Sequence, residues 1–347
     1  MRRADQTDVT HDTTPVIGVD IGGANLKYAT SSGRARSTAY PMWRQPEKLA
    51  ATLAENLNEF GKANQLAVTM TGELADCFVD RSQGVEHIVR HTCQAADQLG
   101  VEQVVFYGVD GRFRSADEAV LAVDMVAAAN WHALASFVGQ FVSPNSLLID
   151  IGSTTTDIIS VQNGQVATTS QTDFERLCEG SLVYVGCRRT PVCALVQELR
   201  FRGQVCRVMN ELFATIDDAR LLLGRTVENA SEMDTADGKP RTIEFSIGRL
   251  ARMIGLDQRT VSHTDAIDLA KQVMAAAKRE TQNALNQVGK KSDTSVISGH
   301  GQDLIDLPSA STIIQLSETL GEQISRCAPS YAVARLSGMK VNATCGE

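Results

Sequence analysis

Apolar positions along this chain alternate between a strand rhythm and a helix rhythm. Val16 to Asp20 is a short β-branched run, Ile21 to Ala24 holds two glycines, and Asn25 to Thr30 returns as a strand, which predicts a hairpin with a glycine-rich turn. Ser31 to Gly33 marks a second turn, Ala35 to Tyr40 supplies a third strand, and Pro46 opens a helical pattern that runs to about Asn64. Leu66 to Met70 reads as a strand leading straight into the polar loop Thr71-Gly72-Glu73-Leu74-Ala75-Asp76. A helix is predicted over 82–99, a strand over 102–107, and one or two alanine-rich helices over 116–141. Strands and helices alternate, so this half is α/β.

The second half opens on the apolar strand Leu147 to Ile151, a turn of Gly152 and four hydroxyl residues, and a returning strand, Asp157 to Val161, closed by Asn163-Gly164. It repeats the layout of the first hairpin about 130 residues later, which suggests two related domains. Residues 174–254 look mostly helical, Asp265 to Val288 is a long helix, and Thr294 to Ile297 is a strand ending at Ser298-Gly299-His300-Gly301. Glu228 to Arg241 is the clearest loop, with Asp237-Gly238-Lys239-Pro240 as its turn. The expected division is a polar tail over 1–14, a first domain over 15–143, and a second over 144–340 with a helical insertion over about 174–262.

Composition narrows the function classes. A chain of 347 residues exceeds one small module. With 33 Lys and Arg against 41 Asp and Glu, the net charge of -8 offers no general attraction to nucleic acid or to an anionic membrane, so any anion needs a local site. No apolar run approaches the roughly 20 residues of a membrane span, and a cytoplasmic location is expected. The eight cysteines form no CxxC pair and read as reduced, mostly buried thiols. Whether the chain forms a homo-oligomer is left open.

The candidate chemistry lies in the paired hairpins. Val19-Asp20-Ile21-Gly22-Gly23-Ala24-Asn25 and Ile149-Asp150-Ile151-Gly152-Ser153-Thr154-Thr155-Thr156-Asp157 each put small residues after a strand, where backbone N–H groups can converge on phosphate oxygens. Either hairpin alone is explained by turn geometry; the pair points to phosphate. Gly22, Gly23, Asn25, Gly152, Ser153, Thr154 and Thr155 are the expected phosphate contacts. Asp20 and Asp150 are the expected magnesium ligands, since that ion prefers a few carboxylate oxygens and keeps its water. Lys27 adds a fixed positive charge. His87 and His91 stand four apart on a helix with Cys93 nearby, but no second ligand cluster completes a zinc site, and packing is the favoured role. Cys178, Cys187 and Cys193 show no metal spacing.

These loops resemble the two phosphate motifs of the actin, sugar kinase and Hsp70 superfamily. Ser298-Gly299-His300-Gly301 falls where that superfamily places its adenosine motif, with Gly299 and Gly301 as the candidate contacts. The resemblance implies an actin-like ATPase fold of two ribonuclease H-like domains with a nucleotide cleft between them. Ala24 stands where Thr or Ser is usual, and His300 replaces a glycine, so ATP is left open as a ligand.

The likeness narrows further. The loop 70–76, the stretch Thr172-Asp173-Phe174-Glu175 through Val183-Tyr184-Val185-Gly186-Cys187-Arg188-Arg189-Thr190-Pro191-Val192-Cys193, and Asn210 to Thr215 resemble hydantoinase A/oxoprolinase-related proteins linked to tetrahydromethanopterin-dependent one-carbon metabolism. That resemblance implies a methanofuran-pathway transferase, which joins an aminomethylfuran-methyl diphosphate to the phenol of γ-glutamyltyramine or a tyrosine-containing relative and releases diphosphate. A furylmethyl diphosphate ionises readily, so the leaving diphosphate needs stabilising and the phenol needs a base. Glu73 and Asp76 are the candidate bases, and Arg188 and Arg189 the candidate clamps for diphosphate or carboxylate. Two alternatives stay open: an ATP-dependent kinase or amide-opening enzyme, and a non-enzymatic nucleotide-sensing or scaffold protein.

Overall fold

The computed structural model describes residues 16–289, 292–307 and 311–344. The expected tail over 1–14, Lys290-Lys291 and Cys345 lie outside them. The chain divides into two compact units, one running to Phe137 and resuming at Cys327, the other covering Val138–Arg326.

The first unit is built on β1 (Val16–Gly22), β2 (Asn25–Thr30), β3 (Ala35–Ala39), β4 (Gln65–Thr71), β5 (Gln103–Tyr107) and β6 (Phe113–Arg114), in the spatial order β3-β2-β1-β4-β5-β6. β1, β2 and β3 run antiparallel as a meander, while β4 and β5 continue the sheet in parallel. The interior of β1 is buried throughout, Asp20 included. The helix Ala328–Thr344 packs along β1, β2 and β4. Gly18 permits the approach, because a Cβ there would lie 1.8 Å from the Ser330 carbonyl oxygen.

The second unit repeats the plan with β7 (Ser146–Ile151), β8 (Thr156–Gln162), β9 (Gln165–Val166) and β10 (Leu182–Val183). After a separate hairpin of β11 (Glu198–Phe201) and β12 (Gln204–Arg207), β13 (Thr294–Gly299) and β14 (Thr312–Gln315) complete the order β10-β8-β7-β13-β14, with β9 also on β8. Three antiparallel strands followed by two parallel ones make each unit a ribonuclease H-like domain, and two of them in one chain give the actin-like ATPase fold. The second core packs the helix His263–Val288 against β7, β8 and the helices Ile216–Leu222 and Ile243–Arg252.

Five expectations need correction. The segment 327–340, expected in the second domain, belongs to the first unit, since its helix covers β1. The division from the second unit falls inside the helix Asn130–Phe141 rather than at 143. The helix expected from Pro46 to Asn64 is a short 3-10 turn, Pro46–Lys48, and a helix that ends at Asn58. The helical stretch 174–254 contains β11 and β12, joined at Arg202-Gly203 with φ of 46° and 85°, the left-handed pair a tight hairpin turn requires. The span 116–141 holds three helices rather than one or two, with Ala128 at φ 47° ending the helical run before the last.

The Gly18 contact yields a prediction. Gly18→Ala overpacks β1 against the last helix and should lower stability by about 1–3 kcal/mol, read as a lower urea midpoint for the whole chain. An unchanged midpoint would contradict this packing.

Candidate active site

In the first unit the site grows from the end of β1. Asp20 lies opposite Lys27 of β2 and beside Thr69 of β4 in the strand register. Its Oδ2 accepts from Lys27 Nζ at 3.4 Å, whereas its Oδ1 and the Thr69 hydroxyl are buried with no hydrogen-bond partner among the described residues. Burial pushes the Asp20 carboxyl above its ordinary range, and the Lys27 ammonium draws it back. The carbonyls of Gly23 and Ala24 accept from Met42 N and Tyr40 N, both at 2.9 Å, so the polarity the turn presents outward is that of its N–H groups.

The loop after β4 closes over this turn. Gly72 N donates to Ile21 O at 3.0 Å, and a Cβ on Gly72 would lie 3.1 Å from the Gly22 backbone. Glu73 is 1% exposed, and its backbone is pressed against Gly84, where a Cβ would lie 2.0 Å from the Glu73 carbonyl oxygen. The two candidate bases are thereby separated in character: Glu73 is buried beside the first glycine-rich turn, and Asp76 is exposed further along the loop.

In the second unit Asp150 lies between Asp157 of β8 and Ser298 of β13 in register. Where Asp20 has a lysine opposite it, Asp150 therefore has a carboxylate. That carboxylate is taken by Arg176, a fully buried arginine whose guanidinium donates to Asp157 Oδ1 and, at 3.3 Å, to Ser181 O. The Ser298 hydroxyl, like that of Thr69, is buried without a hydrogen-bond partner among the described residues. The segment after β10 straps the turn down. Cys187 N donates to Gly152 O at 2.9 Å, and Arg188 N and Arg189 N donate to Ser153 O at 3.1 and 2.8 Å. Here too the turn's carbonyls are tied back. Arg189 itself is exposed, while the Arg188 side chain is committed to Glu232.

Gly299 and Gly301, expected as adenosine contacts, have a packing reason for being glycine. A Cβ on Gly299 would lie 2.1 Å from Ile151 O, and one on Gly301 would lie 2.2 Å from the Ile151 side chain. Arg220 cinches this loop to the strap, donating to Asp303 at 2.9 and 3.0 Å, to His300 O at 2.8 Å and to Cys187 O at 2.9 Å. The absent side chains let the loop sit on the end of β7.

Sequence reasoning missed the buried arginines. Besides Arg176 and Arg220, Arg241 grips Asp217 at 2.5 and 2.8 Å, and Arg249 donates to Asp218 at 2.7 Å. Asp217 and Asp218, the partners of Arg241 and Arg249, stand side by side in the helix Ile216–Leu222, all of it buried. The available signal was Asp217-Asp218 followed by Arg220 inside an otherwise apolar segment. The described cysteines are all free, but against expectation most are not buried: Cys187 and Cys327 are, Cys77, Cys93, Cys193 and Cys206 are half-buried, and Cys178 is exposed. Among the described residues no three His, Cys, Asp or Glu side chains gather as a metal-binding group.

His87 and His91 instead prop the Glu73 loop. Their rings stack at 4.0 Å, His87 lies 5.0 Å from the Phe78 ring, and His87 Nε2 is 3.0 Å from Pro46 O. Burial, then the neighbouring His87 and Arg90, lower the His91 pKa from its ordinary 6.5 to about 4. The folded state thus disfavours the protonated ring, so the unfolded chain binds the extra proton below pH 6.5. Stability should fall as pH drops from about 6.5 towards 4 and level off below. His91→Gln should flatten that slope in thermal melts; an identical slope in the variant would rule His91 out as its source.

Comparison with known proteins follows from this geometry. A family model described as Hydantoinase/oxoprolinase matches residues 65–340. The chain is 34% identical over 327 residues to the (4-{4-[2-(gamma-L-glutamylamino)ethyl]phenoxymethyl}furan-2-yl)methanamine synthase of Methanocaldococcus jannaschii, covering 92% of this chain and 97% of that one. It is 33% identical over 220 residues to the synthase of the same name from Methanococcus vannielii, covering 60% of this chain and 98% of that one. Among solved structures, nucleotide-free acetone carboxylase aligns with a TM-score of 0.52 at 10% identity, covering 93% of this chain and 70% of that one. That last likeness concerns the fold alone.

Proposed function

The chain belongs to the hydantoinase/oxoprolinase family, and from that premise we propose that it is a transferase joining a phenol oxygen to a furylmethyl carbon. The carrying observation is the 34% identity, along 92% of the chain, to a synthase whose product name contains that phenoxymethylfuran ether. The proposed donor is an aminomethylfuran-methyl diphosphate, and the proposed acceptor is γ-glutamyltyramine or a tyrosine-containing relative.

The chemistry divides into two needs. The C–O bond between the furylmethyl carbon and diphosphate breaks with its electron pair leaving on oxygen, so the growing negative charge must be met by preorganised donors. Each glycine-rich turn, with its carbonyls tied back, would bring donors of its own: backbone N–H groups with Lys27 in the first unit, and backbone N–H groups with Arg189 in the second. The phenol has an ordinary pKa of about 10 and must give up its proton as its oxygen bonds to carbon. Glu73 is the favoured acceptor for that proton, because it is buried against the first turn. Asp76 is the second choice.

Magnesium is the proposed cofactor. Asp20 is the residue that would hold it at the first turn and Asp150 the one at the second, and the donor set fits: each turn offers one hard carboxylate, Asp20 Oδ1 has no protein partner among the described residues, and magnesium completes its shell with water and phosphate oxygen. When bound, it would neutralise part of the diphosphate charge.

Two outcomes test this reading. With donor and phenol supplied, mass spectrometry should find the ether and one diphosphate per turnover with ATP omitted. Product that appears only with stoichiometric ATP turnover would favour a kinase-like or amide-opening enzyme. Glu73→Gln should slow ether formation by about 100- to 10,000-fold, with partial rescue by a fluorinated, more acidic phenol. If Asp76→Asn shows that behaviour and Glu73→Gln does not, the base is Asp76; if neither rate falls tenfold, the loop is structural.

A further inference from the structure

We propose that Tyr184 provides the aromatic face on which the furan ring of the donor lies as its carbon–oxygen bond breaks. The inference rests on the ether-forming reading above and assigns a residue to a task that neither turn performs. Tyr184 is 65% exposed, which is unusual for a tyrosine in a segment so firmly anchored on both sides. Before it, Val183 pairs with Thr156 in the β10–β8 ladder. After it, Val185 O accepts from the Thr156 hydroxyl at 2.7 Å, and Gly186 lies so close to the second phosphate turn that a Cβ would meet Thr154 N at 2.4 Å. Cys187, Arg188 and Arg189 then bind the turn's carbonyls. The backbone around Tyr184 is thus held to the start of β8 at residues 183 and 185 and to the turn at residues 186–189, while its ring is left to solvent.

The chemistry calls for such a ring at this place. A furylmethyl group sits one carbon from its diphosphate, so a turn that holds the diphosphate also fixes the ring within a few ångströms. When the C–O bond breaks, both electrons go to diphosphate oxygen and positive charge spreads over the methylene carbon and the furan. The phenol oxygen then bonds to that carbon, and its proton passes to the carboxylate base. Water, or any nucleophile other than the phenol, would capture the cation. An aromatic face attracts it through the ring quadrupole and offers no nucleophile. Phe174, also exposed, lies on the helix Asp173–Glu179 without these ties to the turn, which makes Tyr184 the better placed of the two.

The test is a graded series at position 184 in the full chain: Phe, mono-, di- and trifluorophenylalanine, and Leu. An unreactive donor carrying methylene bisphosphonate measures binding by calorimetry beside the rate of ether formation. Tyr184→Phe should retain the rate, Tyr184→Leu should lose about tenfold, and the fluorinated rings should fall between them in order of fluorine number. The donor analogue's affinity should change much less than the rate. A flat fluorine series, or a full-rate Tyr184→Leu variant, overturns the inference while leaving the ether-forming reading intact. A wild-type chain that makes no ether overturns both.

Discussion

Two carboxylates placed directly opposite each other on neighbouring strands repel, yet β7 and β8 put Asp150 against Asp157. The arrangement stands because Arg176, 1% exposed, occupies Asp157. A buried charge left without its partner typically costs 3–5 kcal/mol, so the arginine and the carboxylate hold each other in place. Arg176 comes from the helix Asp173–Glu179, whose start is set by a capping box of Thr172 and Glu175 and whose end is the left-handed Gly180. From that glycine the chain can turn back as β10 and then as the strap over the second glycine-rich turn. The first unit meets the same problem more simply, with Lys27 opposite Asp20.

The hairpins were legible because their information is local: a β-branched run, an Asp, two or three small residues and a second run lie within about fifteen positions. The doubled pattern also revealed that there are two similar domains. What escaped the sequence depends on partners far apart along it. Arg220 and Asp303 are separated by 83 positions, and Arg241 and Asp217 by 24, so nothing in either neighbourhood announces a pair. The last helix joins the first unit because its surface fits β1, a fact carried by Gly18 rather than by any feature of the helix itself. The hairpin β11–β12 was hidden by strands of four residues each, too short to display a period.

The candidate site divides in the same way. Asp20, Asp150 and the glycines of the turns could be named as candidates from the sequence, because close backbone approach to an anion calls for glycine and a hard cation calls for a carboxylate. Glu73 and Asp76 could not be told apart until burial separated them. Gly299 and Gly301 look like ligand contacts in a motif, but Ile151 already fills the space a side chain would take. A glycine that admits a neighbouring strand and one that admits a phosphate read alike in sequence.

In the proposed reaction the ether oxygen is the phenol's own and the donor's carbon–oxygen bond is the one that breaks. Turnover with the phenol oxygen labelled by oxygen-18, and in a parallel reaction with the donor's bridging oxygen labelled, tests this. The phenol label should stay wholly in the ether and the bridging label should leave wholly in diphosphate. Bridging label retained in the organic product, or phenol label lost from it, would rule the reaction out.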